Sequence, residues 1–207
     1  MYLKIEYSNI IQENFIIKSI IMKKLLLLLL FVMSITFNSC SGSDNTAIKD
    51  GSGNVYTEIS IGKQVWLKED VKATKLANGK EINYVENWLS MGVSTPEYTK
   101  YESGFFYNLY SMSFNNICPN GYKIPKESDW NELISFYGGK DMGKEKVIEL
   151  INKLNLSTGG VSGFNKGSAI YVYEASGLFK IVYFRTSDGG IGFNPSTGTN
   201  RIRCIKQ

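Results

Sequence analysis

The chain contains no histidine. Histidine is the commonest general base and metal ligand at neutral pH. Its absence excludes a Ser-His-Asp triad and every zinc site that needs an imidazole. Cysteine and proline are scarce, with three and four residues. Charge of one sign is missing as a block: the net charge of +4 is spread along the sequence, and no basic run implies a nucleic-acid partner. The stretch Gly189-Gly190-Ile191-Gly192 lacks the lysine and the following helix that a phosphate-binding loop requires. No catalytic residue, no metal site and no cofactor are therefore expected.

The one long apolar run is Leu25–Met33, preceded by Lys23 and Lys24. It suits the core of a secretory signal and falls well short of the ~20 residues that a membrane-spanning helix needs. The run leads to Phe37-Asn38-Ser39-Cys40, which resembles a bacterial lipobox with a bulky Phe37 three positions before the cysteine. The resemblance implies that Cys40 is lipidated and is the first mature residue. A single acyl chain binds a membrane only reversibly, and lipoproteins of this kind carry three. Ser41, rather than an aspartate, is similar to signals that permit sorting to the outer membrane. Residues 1–21 fit no positively charged leader, so Met22 reads as the start and 1–21 as an upstream extension. The expected organisation is a lipoprotein signal peptide over 22–39, a flexible small-residue tether over 40–53 and a folded domain over 54–207.

With Cys40 assigned to the anchor, Cys118 and Cys204 remain. An even pair in an exported chain reads as a disulfide, with two buried free thiols as the alternative. NVYTEISIGKQVWL alternates: Val55, Thr57, Ile59 and Ile61 share one face, and Gly62-Lys63 turns the chain into a second strand through Val65–Leu67. Residues 68–104 read as mostly loop, and GFFYNLYSM, 104–112, as a strand rich in aromatics. Trp130, Leu133, Ile134 and Tyr137 then form one helical stripe, stopped by Gly138-Gly139. Val147, Leu150, Ile151 and Leu154 form a second, with Glu149 spaced to pair with Lys153. SAIYVYE and LFKIVYFRT flank Ala175-Ser176-Gly177, a hairpin signal. The last segment, NRIRCIKQ, places Ile202 and Cys204 on one face and Arg201, Arg203 and Ile205 on the other. Helices grouped in the middle of largely antiparallel strands give an α+β class.

These segments, in order, resemble the Fibrobacter succinogenes major paralogous domain (FISUMP) family. The most specific is CPNGYKIPKESDWNEL, Cys118 to Leu133, beside the family's "CPtGWhvPsdaEWttL". GFFYNLYSM, Ser162 to Phe164 and the terminal IRCIK match shorter elements. Tyr122, Lys123 and Lys126 depart from the motif; Lys126 stands where a serine would cap the helix, at about 1 kcal/mol unless Ser128 caps instead. The resemblance implies a fold similar to C-type lectin-like and formylglycine-generating-enzyme-like domains, and it supports the Cys118–Cys204 pairing. It implies no activity. The copper-binding cysteine pair of the formylglycine-generating relatives is not expected, because both remaining cysteines match the bridge. The acidic signatures of lectin calcium sites are also lacking: Phe193 precedes Asn194-Pro195, and Trp130-Asn131-Glu132 lies on a helix.

The expected function is that of a cell-envelope lipoprotein, lipid-anchored to the outer membrane and periplasmic or surface-exposed. Its lectin-like domain would bind a protein or glycan without calcium. Tyr171, Tyr173, Tyr183 and Arg185 are the candidate binding residues, because tyrosines two apart on a strand share a face and make a platform. The loop-rich stretches 84–103 and 185–200 are further candidates. An enzyme acting on envelope polysaccharide and a structural lipoprotein with no discrete ligand are the alternatives. The chain itself is not expected to be an enzyme.

Overall fold

The computed structural model describes residues 22–24, 47–113, 116–159, 168–195 and 198–207. Met22–Lys24 are helical and exposed; the rest of the stretch expected to be a signal, Cys40 and Ser162–Phe164 lie outside the described residues. The chain divides into Met1–Thr46 and Ala47–Gln207, and the architecture is that of the second unit. Among the described residues no helix is long and apolar enough to cross a membrane.

The unit is mixed α+β, and among the described residues its strands pair antiparallel with one exception. β1 (Ile48–Lys49) pairs with β2 (Val55–Tyr56). β3 (Glu58–Ile61), β4 (Gln64–Leu67), β12 (Ile205–Lys206) and β8 (Tyr122–Lys123) form a four-stranded sheet in that spatial order. β5 (Asn83–Tyr84), β6 (Glu97–Tyr101) and β7 (Gly104–Tyr107) form a third sheet, with β5 and β6 parallel. β9 (Ser168–Ala175), β10 (Leu178–Arg185) and β11 (Ile191–Pro195) form the fourth. The helices are α1 (Leu109–Ser113), α2 (Glu127–Phe136) and α3 (Lys144–Lys153), with a 3-10 turn at Trp88–Ser90.

The helical stripes hold as read. Trp130, Leu133, Ile134, Val147, Leu150, Ile151 and Leu154 are all buried, in one cluster with Trp66, Tyr171 and Phe184. Lys126 stands at the N-cap of α2 without capping through its side chain. Neither it nor Ser128 substitutes for the missing serine. Instead the Asp129 carboxylate accepts from the Lys126 backbone N–H at 2.7 Å and pairs with the Lys123 ammonium at 3.0 Å. An acid in the first turn also suits the helix dipole. On α3, Glu149 pairs with Lys146 at 3.3 Å rather than with Lys153.

Several local expectations are corrected. The opening strand breaks at Thr57, whose N–H and hydroxyl both donate to Glu69, so Val55 is exposed and Tyr56 is buried. Part of the stretch expected as a tether over 40–53 is structured: Ile48–Lys49 is a strand, and the buried Asp50 carboxylate accepts from Ser52, Asn54 and Tyr56. The strand expected over 104–112 ends at Tyr107. Asn108 accepts from the Ser111 N–H at 2.9 Å and starts α1 as its cap. The expected loops 84–103 and 185–200 contain β6 and β11.

A second apolar cluster gathers Tyr56, Leu67, Tyr107, Met112, Tyr122, Val172 and Ile202. The C-terminal segment runs along the seam between the two clusters. Its Asn200 exchanges backbone hydrogen bonds with Tyr107, and its next carbonyls accept from the N–H groups of Val172, Val71 and Leu67. The alternation read in NRIRCIKQ is therefore real, but both faces are interior: Arg201 and Arg203 are 1% and 0% exposed. Within it Cys204 bonds to Cys118, with an S–S distance of 2.03 Å and 6.0 Å between Cα atoms. The bridge ties the Pro119–Gly121 turn to the seam, and the buried Trp130 follows as α2 begins.

Candidate functional site

The β9–β10 hairpin turns through Ser176 and Gly177, both at positive φ (54° and 78°), the conformation of a two-residue type I′ turn. That turn fixes the register. Ser168 stands opposite Arg185, Ile170 opposite Tyr183 and Val172 opposite Ile181. On the other side of β10, Gly192 stands opposite Tyr183 and Asn194 opposite Ile181. Because side chains alternate, residues 169, 171, 173, 182 and 184 share one face and 168, 170, 181, 183 and 185 share the other.

The first face packs on the helices, and this corrects the reading of Tyr171 and Tyr173. They do share a face, but they are 0% and 1% exposed. Tyr171 lies 6.2 Å from the Trp130 ring, and its hydroxyl accepts from the Ser157 N–H at 2.7 Å. Tyr173 meets Phe193 edge-on at 5.4 Å. Burial pushes the Tyr173 phenol up to about 12, with Glu127 adding to the effect. Neither tyrosine reaches solvent to act as a platform.

The second face holds the other two candidates. Tyr183 and Arg185, with Ser168, Ile170, Ile181 and Asn194, line an open cleft of about 280 Å³. Tyr183 is half-buried and Arg185 exposed. The Arg185 guanidinium lies 5.6 Å from the Tyr183 ring centroid. It also grips Asp188 twice, Nε to Oδ1 at 3.0 Å and Nη2 to Oδ2 at 2.9 Å. Hydrogen bonds from the Gly190 N–H and from Arg185 hold the Asp188 carboxyl below its ordinary range. Ser168, Ile170, Ile181 and Asn194 were missed from sequence. The available signal was the register: counting back from the Ser176-Gly177 turn pairs each of β10's outward residues with its neighbour on β9.

Beneath the opposite face lies a buried charge cluster. The Arg203 guanidinium donates to the Asp70 carboxylate, to Leu67 and Leu154 carbonyls at 2.9 and 3.0 Å, and to Asn155 at 3.1 Å. Arg201 donates to Ser103, Thr158 and Gly159 carbonyls. These arginines join backbone segments and face no solvent. Among the described residues no group of three or more His, Cys, Asp or Glu side chains is placed to hold a metal ion.

The fold and cleft define a disulfide-stapled α+β domain with a half-exposed polar and aromatic groove on one sheet. A family model, the Fibrobacter succinogenes major domain, matches residues 59–200, and the chain belongs to that family. No curated protein and no solved structure matches the chain.

Proposed function

We propose that the chain is a lipid-anchored binding module of the cell envelope, taking a protein or glycan ligand without calcium through the β9–β11 groove. The observation that carries the reading is the convergence of Tyr183 and Arg185 with Ser168 and Asn194 in one concave lining. A few directed polar groups among apolar ones are what a binding cleft presents. None of the six lining residues is a carboxylate, and this supports a binding cleft over the acid–base pair of glycoside hydrolysis. The apolar run at Leu25–Met33 and the sequence before Cys40 support export and lipidation, with the domain held at the outer membrane, periplasmic or surface-exposed. The antiparallel sheets, the central helices and the bridge from the Cys118 turn to the final segment support a C-type lectin-like fold.

Wild-type chain and Tyr183→Ala are compared on a glycan array and in pull-downs from solubilised envelope, with and without EDTA. Ligands lost with Tyr183→Ala and indifferent to EDTA are expected. Identical profiles for the two proteins would refute the assignment of the groove. Cys40→Ala is expected to move the protein from the membrane to the soluble fraction.

A further inference from the structure

We infer that the groove takes an uncharged pyranose ring, one sugar unit at a time, laid against Tyr183; this rests on the groove being the ligand site. The inference begins with two glycines. A Cβ at Gly192 would overlap the Tyr183 phenol, and one at Gly190 would overlap the Arg185 guanidinium. Both side chains therefore recline across β11 and its turn instead of standing off the sheet. The surface has low relief, and the ring is half-exposed on it. Any larger residue at 190 or 192 would force the side chains up and close that surface.

Charge decides the ligand class. Asp188 engages two of the five N–H donors of Arg185, so the charge of this exposed guanidinium is paired beside the groove. An anionic ligand would compete with the Asp188 carboxylate for that charge and meet its repulsion. The hydroxyls of Ser168 and Tyr183 and the amide of Asn194 make no side-chain hydrogen bond among the described residues. They stand around Ile170 and Ile181 as neutral donors and acceptors. A sugar offers the matching pair of surfaces, a C–H face for the aromatic and aliphatic side chains and hydroxyls for the neutral polar ones. Size sets the number of units: about 280 Å³ lies below the roughly 300–1,000 Å³ of sites for drug-sized ligands, which leaves room for a single ring.

The test titrates full-length chain in detergent with methyl β-glucoside, methyl β-galactoside and N-acetylglucosamine, and in parallel with glucuronate and inorganic phosphate. Binding is read by protein-observed NMR. Neutral sugars are expected to bind at roughly millimolar Kd, as befits a small open cleft. Shifts should concentrate at 168–170, 181–185 and 192–194. Tyr183→Ala and Gly192→Val should each weaken binding about tenfold, and Tyr183→Phe two- to threefold, tracking ring and hydroxyl separately. Leu178→Ser, at the exposed hairpin turn, should leave binding unchanged. Asp188→Asn should raise the affinity for glucuronate by freeing Arg185. Retained tryptophan fluorescence identifies the folded variants, and Tyr183→Phe serves if the bulkier changes unfold. Glucuronate or phosphate binding tenfold tighter than the neutral sugars, or neutral binding indifferent to Tyr183, would overturn the inference. Tyr183-dependent capture of proteins alone would overturn the sugar and leave the groove standing; no Tyr183-dependent ligand of any kind would overturn both.

Discussion

Replacing Arg203 tests whether the buried charge cluster holds the domain together. Its guanidinium is fully buried and satisfies three backbone carbonyls besides Asp70, whose side chain is only 12% exposed. Leu154 and Asn155 follow α3 directly, where helical carbonyls lack partners and the dipole is negative, so a cation belongs there. Arg203→Met removes all of this. Asp70 then keeps the more distant Arg201 Nε at 4.0 Å, and losing its close partner while buried costs about 3–5 kcal/mol. Each abandoned carbonyl adds about 1 kcal/mol at the low end. The sum, roughly 6–8 kcal/mol, rivals the 5–15 kcal/mol of a whole domain, so this variant is expected to unfold or nearly so. Arg203→Lys keeps the charge but loses the planar fork, and is expected to lose about 2–3 kcal/mol. Asp70→Asn combined with Arg203→Met should be less damaging than the two losses added together, because both charges leave at once. Urea denaturation followed by tryptophan fluorescence reads these proteins and Asp70→Asn alone, since Trp66 and Trp130 are wholly buried and 4.7 Å apart. A stable Arg203→Met protein within about 1 kcal/mol of wild type would refute the reasoning.

Reducing the Cys118–Cys204 bridge, or replacing both cysteines by serine, removes a constraint on an 86-residue separation and is expected to lower stability by roughly 4–5 kcal/mol, read by denaturation with and without reductant. The Asn108 side chain accepts from Ser111 and Glu97 and donates to the Gly92 and Thr95 carbonyls, each at 2.8 Å. Asn108→Ala should therefore cost about 2–4 kcal/mol in the same assay, while Asn108→Asp recovers the capping part alone. Burial raises the phenols of Tyr56, Tyr107 and Tyr171 well above their ordinary range. The unfolded chain therefore loses those protons near pH ~10 while the folded chain holds them. Stability from this source is complete below that pH and is lost as pH rises toward the folded values. Tyrosinate absorbance from these residues should appear only together with alkaline unfolding; their smooth titration in a folded protein would contradict their placement.

The class of fold was legible because its signals are local. The stripe at Trp130, Leu133 and Ile134 lies within a short window, and a 3.6-residue period has one interior side. The Ser176-Gly177 turn was equally plain. For SAIYVYE the period of two put Tyr171 with Tyr173 and Ile170 with Val172, but both sets are apolar and either can face inward. Only the packing of Val182 and Phe184 against α2 and α3 set the tyrosine face on the helices, while Val172 on the opposite face is buried in the second cluster. Tyr183 and Arg185 were singled out, while their partners Ser168 and Asn194 come from other strands and have no signal of their own. The reclining of Tyr183 and Arg185 depends on glycines that lie near them only once β11 is paired.

The sequence by itself determined the two central helices, the hairpin and the family and pointed to the cysteine pair, since each rests on residues close in the chain or on simple counting. Tertiary structure decided which side of each strand is inside. It also decided that two arginines beside Cys204 serve the interior, because a charge is buried only where distant segments bring it a carboxylate and carbonyls, and no stretch of local sequence records that meeting.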